Sequence, residues 1–367
     1  MLSKNELRYA LALQRVPNLG DTSAKKLLHH VGSAEGIFKE KRQNLLKIEG
    51  IGALKLKGLM AARPMDAVDE ELKFIENNDI TCCFYTEDNY PDRLKHCPDG
   101  PILFFQKGEV DLSKKKILSV VGTRNITNYG KDFCERLIEE LAPIDPIIVS
   151  GFAYGVDITA HKAAVKHGLQ TIGCLAHGMN QIYPKAHRKY VKRIEEKGGF
   201  ITEFWSTDVF DRTNFLKRNR IIAGLSEATV VIESASKGGS LVTADIANSY
   251  HRDVFALPGR TTDIQSRGCN NLIRSQQAHM LTGAADIIYM LNWMNESPKA
   301  TTQKQLFVTL TPEEQVLFDF LKQRDKEQLD IIALACKMPT FKVVTILLNM
   351  ELKGVIRPLP GKQFQVT

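Results

Sequence analysis

The 367-residue sequence predicts an α/β protein built on a doubly wound, mostly parallel sheet, with a helical unit before it and a winged-helix unit after it. Three observations predict this. Between residues 116 and 290, short apolar runs alternate with helical patterns, the signature of successive βα units. Those runs are continuous rather than alternating, as expected when helices cover both faces of a parallel sheet. Around this block, residues 1–63 read as short helices broken by glycine, and residues 308–367 read as three helices closed by a hairpin.

The helical front carries two pieces similar to helix-hairpin-helix units. One is Val16-Pro17-Asn18-Leu19-Gly20 before Ala24–Leu28, and the other is Ile48-Glu49-Gly50-Ile51-Gly52 before Ala53–Lys57. Glycine permits the tight turn, and the helix that follows starts with free N–H groups able to meet a phosphate. A plain helical packing module without DNA contact reads the same residues equally well. Residues 64–115 add an acidic amphipathic helix at Asp66–Asn77 and strands at Cys82–Tyr85 and Ile102–Gln106, and carry no chemical motif.

The strands of the central sheet are expected at Ile117–Val121, Ile147–Ser150, Thr171–Leu175, Phe200–Glu203, Thr229–Glu233 and Val254–Leu257. Right-handed crossovers then place every strand's C-terminal end on one edge. The domain that contains them is expected to span 64–290. Residues 291–307 are polar and read as a linker. Thr311-Pro312-Glu313-Glu314 is an N-cap, a first-turn proline and first-turn acids. Helices near Leu329–Cys336 and Thr340–Leu352 follow. Strands Val355–Arg357 and Gln363–Val366 flank a turn at Pro360-Gly361.

Composition excludes several classes. With 43% apolar and 25% charged residues the chain is globular, and no apolar run approaches the roughly 20 residues that span a bilayer. The start lacks the apolar core of a secretory signal, so a cytoplasmic protein without membrane contact is expected. Seven cysteines without a C-x-x-C pair suit reduced thiols rather than a disulfide framework or a zinc site. Positive charge is concentrated: residues 1–63 hold 12 Lys/Arg against 5 Asp/Glu, and residues 181–220 hold 10 against 5. Such patches suit a polyanion partner.

Glycine recurs at the carboxyl edge of the sheet, at Gly122, Gly151, Gly178, Gly238-Gly239 and Gly259. Open parallel sheets bind ligands at that edge, and repeated glycines make it a shallow, backbone-lined anion surface. Gly122-Thr123-Arg124 adds a cation at the first turn. Lys237-Gly238-Gly239-Ser240 adds another, just before a helix N-terminus. Neither string spells G-x-G-x-x-G or a Walker loop, so a dinucleotide or hydrolysed ATP is not expected. Asp157 and His161, four apart, read as a helix-start acid and a structural histidine, because no second carboxylate or nucleophile completes a site. Glu203 and Glu233 are expected to hold backbone amides or arginines.

The densest signal is Asn214-Phe215-Leu216-Lys217-Arg218-Asn219-Arg220, where a phenylalanine stands beside three cations. Cations for phosphates and a flat ring for a base are the means of gripping a single strand. Arg218 and Arg220 are read as straddling a phosphate backbone, with Asn219 free for a base edge or sugar. The competing reading is a helix start whose arginines pair with Glu203 and Glu233 and whose Phe215 belongs to the core.

Several blocks in one order resemble the DNA-processing protein A family, also called Smf. They are Val121-Gly122-Thr123-Arg124 with Tyr129-Gly130, Ser150-Gly151-Phe152-Ala153-Tyr154-Gly155-Val156-Asp157 through Ala160-His161, and Ile182-Tyr183-Pro184. The Phe215 block, Lys237-Gly238-Gly239-Ser240-Leu241, Leu257-Pro258-Gly259 and Gly268-Cys269-Asn270-Asn271-Leu272-Ile273 follow. The resemblance implies an extended Rossmann-like core, a SAM-like helical front and a winged-helix end. It also implies binding of single-stranded DNA in natural transformation, protection of the strand, loading of a RecA-type recombinase, and a homodimer. No catalysis, cofactor or metal is implied. Carried onto this sequence, the DNA surface comprises Gly122, Thr123, Arg124, Tyr154, Lys185, Phe215, Lys217, Arg218, Asn219, Arg220, Lys237, Gly238, Gly239 and Ser240. Four positions depart from the family pattern: Tyr154 replaces a common arginine, Leu216 a proline, His187 an asparagine and Gly239 a serine. The alternative class is a nucleotide-processing enzyme similar to the lysine-decarboxylase-like phosphoribohydrolases. Their P-G-G-x-G-T turn with a following carboxylate is not matched by Ser236-Lys237-Gly238-Gly239-Ser240-Leu241.

Overall fold

The computed structural model describes residues 2–61, 65–113, 116–295, 310–324, 326–359 and 363–366. The chain divides into a compact unit at Met1–Met294 and a second at Asn295–Thr367.

Among the described residues the first unit is organised by nine strands: β1 (Thr81–Phe84), β2 (Leu103–Gly108), β3 (Ile117–Val121), β4 (Ile147–Ser150), β5 (Thr171–Cys174), β6 (Gly198–Thr202), β7 (Ala228–Val231), β8 (Asp253–Ala256) and β9 (His279–Met280). They lie in the order β1-β2-β6-β5-β4-β3-β7-β8-β9. β6 through β9 run parallel, and β1 and β2 close one end antiparallel. Successive side chains on a strand face opposite ways, so each parallel strand feeds two cores. Ile117, Val121, Val149 and Val231 pack under the helices Asn214–Leu225 and Gly239–Ser249. Leu118, Val120, Ile148 and Val230 pack under Asn128–Leu141, Val156–Lys166 and Ala284–Met290. This two-sided burial is why the runs read as continuous apolar segments.

The chain moves outward from β3 through β4 and β5 to β6, then returns to place β7 on the other side of β3. That reversal opens a crevice beyond the carboxyl ends of β3 and β7, the place where doubly wound sheets receive ligands.

The helical front (Lys4–Gln14, Asp21–Val31, Ala34–Lys39, Arg42–Leu45 and Ala53–Ala61) shares a core with β1, β2 and Trp205. Gly20 immediately precedes Asp21–Val31, and Gly52 precedes Ala53–Ala61, as the hairpin pattern requires. The Asp21 carboxylate at the first of these N-termini is already engaged. It accepts from the Ile102 N–H at 2.9 Å and from Arg220 at 3.1 Å.

The second unit has helices Pro312–Arg324, Leu329–Ala335 and Thr340–Leu352. Its three-stranded sheet orders β10 (Lys326–Gln328), β12 (Gln363–Val366) and β11 (Ile356–Leu359). This is a winged helix around Leu317, Leu321, Val343, Leu347 and Met350. The expected turn at Pro360-Gly361 and most of the expected linker lie outside the described residues. Among the described residues, no single helix is long and apolar enough to cross a membrane.

Candidate nucleic-acid interface

Strand β3 ends in the Gly122-Thr123-Arg124 turn, which is pinned to its neighbours through the backbone. The Thr123 N–H donates to the Glu233 carbonyl at 2.7 Å, and the Thr123 carbonyl accepts from the Val156 N–H at 3.1 Å. Gly155 completes the joint at φ +75°. A Cβ there would also lie 2.2 Å from the Thr123 carbonyl oxygen, so the turn and the start of the Val156–Lys166 helix fit only with glycine. Arg124, aimed out of this turn, is exposed.

Across the crevice, β7 leads through Ser234–Gly238 into the Gly239–Ser249 helix. Among the described residues no side chain caps its N-terminus, so its first N–H groups and the positive end of its dipole face the opening. Lys237 is exposed beside it, whereas Ser240 is buried.

The third wall is the Asn214–Leu225 helix with the loop before it. Phe215 is half-buried at its start. Its ring lies 5.9 Å from Tyr183 and 5.7 Å from Phe210, and Tyr183 and Phe210 are 4.9 Å apart. The Arg124 guanidinium stands 5.2 Å from the Phe215 ring, within cation–π range. Tyr183 is 40% and Phe210 38% exposed, so this aromatic cluster presents part of its surface to solvent.

These walls enclose a groove of about 600 Å³ lined by Arg124, Tyr183, Phe210, Phe215, Asn219, Lys237 and the 238–240 turn, among others. A larger cleft of about 1010 Å³ lies beneath the opposite strand ends around Tyr90, Arg93, Ile117 and Arg252. There Asp88, Asp92 and Asp111 offset the arginines, so that cleft lacks a cationic surplus.

The structure brings together Gly122, Thr123, Arg124, Phe215, Arg218, Asn219, Lys237, Gly238, Gly239 and Ser240 at the groove. It does not bring Tyr154, Lys185, Lys217 or Arg220 into its lining. The straddling pair Arg218 and Arg220 needs correction. Residues two apart on a helix point about 200° apart, and the two guanidiniums have separate partners. Arg218 is only 4% exposed. Its Nη1 donates to the carbonyl oxygens of Gly151 at 2.7 Å and Cys174 at 2.5 Å, tying the ends of β4 and β5 to the helix. Arg220 turns the other way, to Glu203 at 2.5 Å and Asp21 at 3.1 Å, in a second cavity that Lys217 also lines. Asn219 is buried and donates to the Gly239 carbonyl at 3.3 Å, so its amide braces the glycine turn rather than standing free for a base.

The acids behave as structural groups. Glu233 accepts from the Thr127 N–H at 2.9 Å and the Thr127 hydroxyl at 2.5 Å. Asp157 accepts from the Ala153 N–H at 3.2 Å. Burial pushes its carboxyl above the ordinary range, opposed by the Arg218 charge. Burial raises Glu203 to about 7, opposed by the Arg220 charge and assisted by the like charge of Asp21.

Tyr183, Phe210 and Arg212 also line the groove and escape the sequence reading as contact residues. The available signal was Val209-Phe210, an apolar pair within the polar stretch 206–213.

A sequence model described as DNA recombination-mediator protein A matches residues 81–292, more than half the chain. This chain belongs to that family. The family's winged-helix domain, described as the DprA winged helix domain, matches 298–362. Protein Smf of Escherichia coli is 33% identical over 81% of this chain and 80% of its own length. Protein Smf of Synechocystis is 29% identical over 99% and 100%. Among solved structures, DNA processing protein A of Streptococcus pneumoniae aligns with TM-score 0.66 and 29% identity, covering 77% of this chain and 97% of that one. The Helicobacter pylori protein, solved to explain its single-stranded DNA binding mode, aligns with TM-score 0.53 and 28% identity over 58% and 95%.

Proposed function

We propose that this protein binds single-stranded DNA in the sheet-edge groove without catalysing a reaction on it, and serves DNA recombination by protecting the strand and passing it to a RecA-type recombinase. The observation that carries the reading is the combination in one groove of exposed Arg124 and Lys237, an uncapped helix N-terminus and the part-exposed Tyr183–Phe210–Phe215 cluster. Phosphates fit the cations and N–H groups, and bases fit the rings. The single-stranded DNA bound by the Helicobacter pylori relative supports the ligand, and the family's description as a recombination mediator supports the hand-over. A non-catalytic role is supported by the engagement of the nearby acids: Asp157, in the groove lining, accepts from the Ala153 N–H, and Glu233, outside it, accepts from the Thr127 N–H and hydroxyl. A homodimer and a cytoplasmic location belong to the same reading.

The test is a titration of single- against double-stranded oligonucleotides at two salt concentrations. Preference for the single strand, with affinity falling steeply as salt rises, is expected. Equal binding of both forms, or none, would reject the proposal.

A further inference from the structure

The helix Arg188–Glu195 carries cations where a helix in isolation disfavours them. Its first turn contains no acid, yet Arg188 and Lys189 stand at that N-terminus, against the helix dipole. Arg188/Lys192 and Lys189/Arg193 are like-charge pairs four apart, which repel. At about 100° per residue, these four side chains fall within an arc of roughly 140°. All four are exposed, and none forms an ion pair among the described residues. The opposite face, with Ile194 and Val191, packs beside Phe152 and Phe200.

Beside this row lies a small groove of about 260 Å³ between the Val156–Lys166 and Arg188–Glu195 helices. Ile158 and Ile194 form its apolar part, and Lys162, Lys166 and Arg193 supply charge around it. The Tyr190 ring lines it, with Lys162 Nζ at 5.9 Å and Lys189 Nζ at 5.2 Å from its centroid. His161 also lines it. The Thr171 hydroxyl donates to the Ile148 carbonyl at 2.9 Å and therefore accepts from His161 Nδ1–H at 2.7 Å. Nε2 is left with a lone pair and has no partner among the described residues. The groove thus offers an aromatic face, apolar walls and a cationic rim, with the His161 ring buried beneath it.

The helix is also continuous with the sheet-edge site. Tyr183 touches Phe215 in that site, and the chain then turns through Lys185–His187 directly into Arg188. Tyr154, 46% exposed, follows Ala153 of the groove lining and stands against His187 at 4.9 Å.

We infer that a single strand leaving the sheet-edge groove continues across Tyr154 and along the Arg188–Glu195 helix, with its phosphates on Arg188, Lys189, Lys192 and Arg193 and a base against Tyr190. This rests on the single-strand reading of the sheet-edge groove and extends its footprint. The same chemistry serves any sequence, since the cations meet backbone and every base has a flat face.

The test compares the full chain with a variant carrying Arg188→Gln, Lys189→Gln, Lys192→Gln and Arg193→Gln, whose thermal unfolding verifies that the fold is kept. Each is titrated with oligonucleotides of about 6 and about 20 nucleotides, spanning the range of single-strand site sizes. The variant should bind the shorter oligonucleotide as the parent does. It should bind the longer one about tenfold or more weakly, with the slope of log affinity against log salt reduced by about 2–3, from about 0.7 per lost contact. Unchanged affinity and slope for the longer strand would overturn the inference and leave the cationic face to an acidic protein partner or to solvent. If the parent binds neither oligonucleotide, the sheet-edge reading itself fails and the extension falls with it. Photocrosslinking of the longer strand to Tyr190, absent with the shorter, is the second expected result. Crosslinks confined to Phe215 and Tyr183 would contradict it.

Discussion

The guanidinium of Arg218 occupies the space that a side chain at Gly151 would need: a Cβ there would lie 2.3 Å from Nη1. The glycine leaves an opening at the end of β4 through which a buried cation reaches two carbonyl oxygens. The most conspicuous arginine of the cationic cluster therefore helps to build the floor of the groove, while Arg124 and Lys237 remain available to a ligand.

Gly151→Ala should displace the Arg218 guanidinium and strand a buried charge, at a cost of about 2–4 kcal/mol. Arg218→Met should also destabilise the protein, by removing the ties to β4 and β5. The double substitution should cost less than the sum of the two, because both remove the same contact. Urea unfolding of the four proteins checks this. Additive losses would show that Gly151 and Arg218 act independently.

Phe215→Leu keeps an apolar side chain against Tyr183 and Phe210 but loses the flat face. Single-strand affinity should fall by about 1–3 kcal/mol if a base stacks there, with little change in the unfolding midpoint. Normal affinity in an equilibrium titration would return Phe215 to packing alone.

Much of this arrangement is legible in the sequence, and the exceptions have physical reasons. The six parallel strands expected between 117 and 257 are all found, since burial on both faces makes each an apolar run. β9 escapes because His279–Met280 is two exposed residues long. β10 escapes because Lys-Glu-Gln has no apolar member. At the site, the glycine turns and outward cations are readable because local backbone geometry demands them. The partners of Arg218 and Arg220 are not, since they come from β4, β5, β6 and the helical front, 17 to 199 residues away along the chain. Helical periodicity alone, however, indicates that 218 and 220 point apart.

Glu203 gives a pH-dependent signature. Burial raises it from 4.5 to about 7, and burial raises Asp21 in the same direction. An acid with a raised folded pKa holds its proton more tightly in the native state. Its contribution to stability is thus greatest at low pH and declines as pH rises through that window. Glu203→Gln, which keeps shape and removes the titration, should flatten the fall in stability between about pH 5 and pH 8. Parallel urea midpoints for parent and variant across that range would show instead that Arg220 keeps Glu203 ionised throughout.

The proposed single-strand site at the β3–β7 reversal places phosphates on Arg124 and Lys237. Its most direct test is the salt dependence of single-strand affinity for Arg124→Ala with Lys237→Ala against the parent chain. Both side chains are exposed, so the fold should be unaffected. The slope of log affinity against log salt should fall by about 1.4, two contacts at about 0.7 each, with weaker binding at low salt. An unchanged slope and affinity would place the strand elsewhere on the protein.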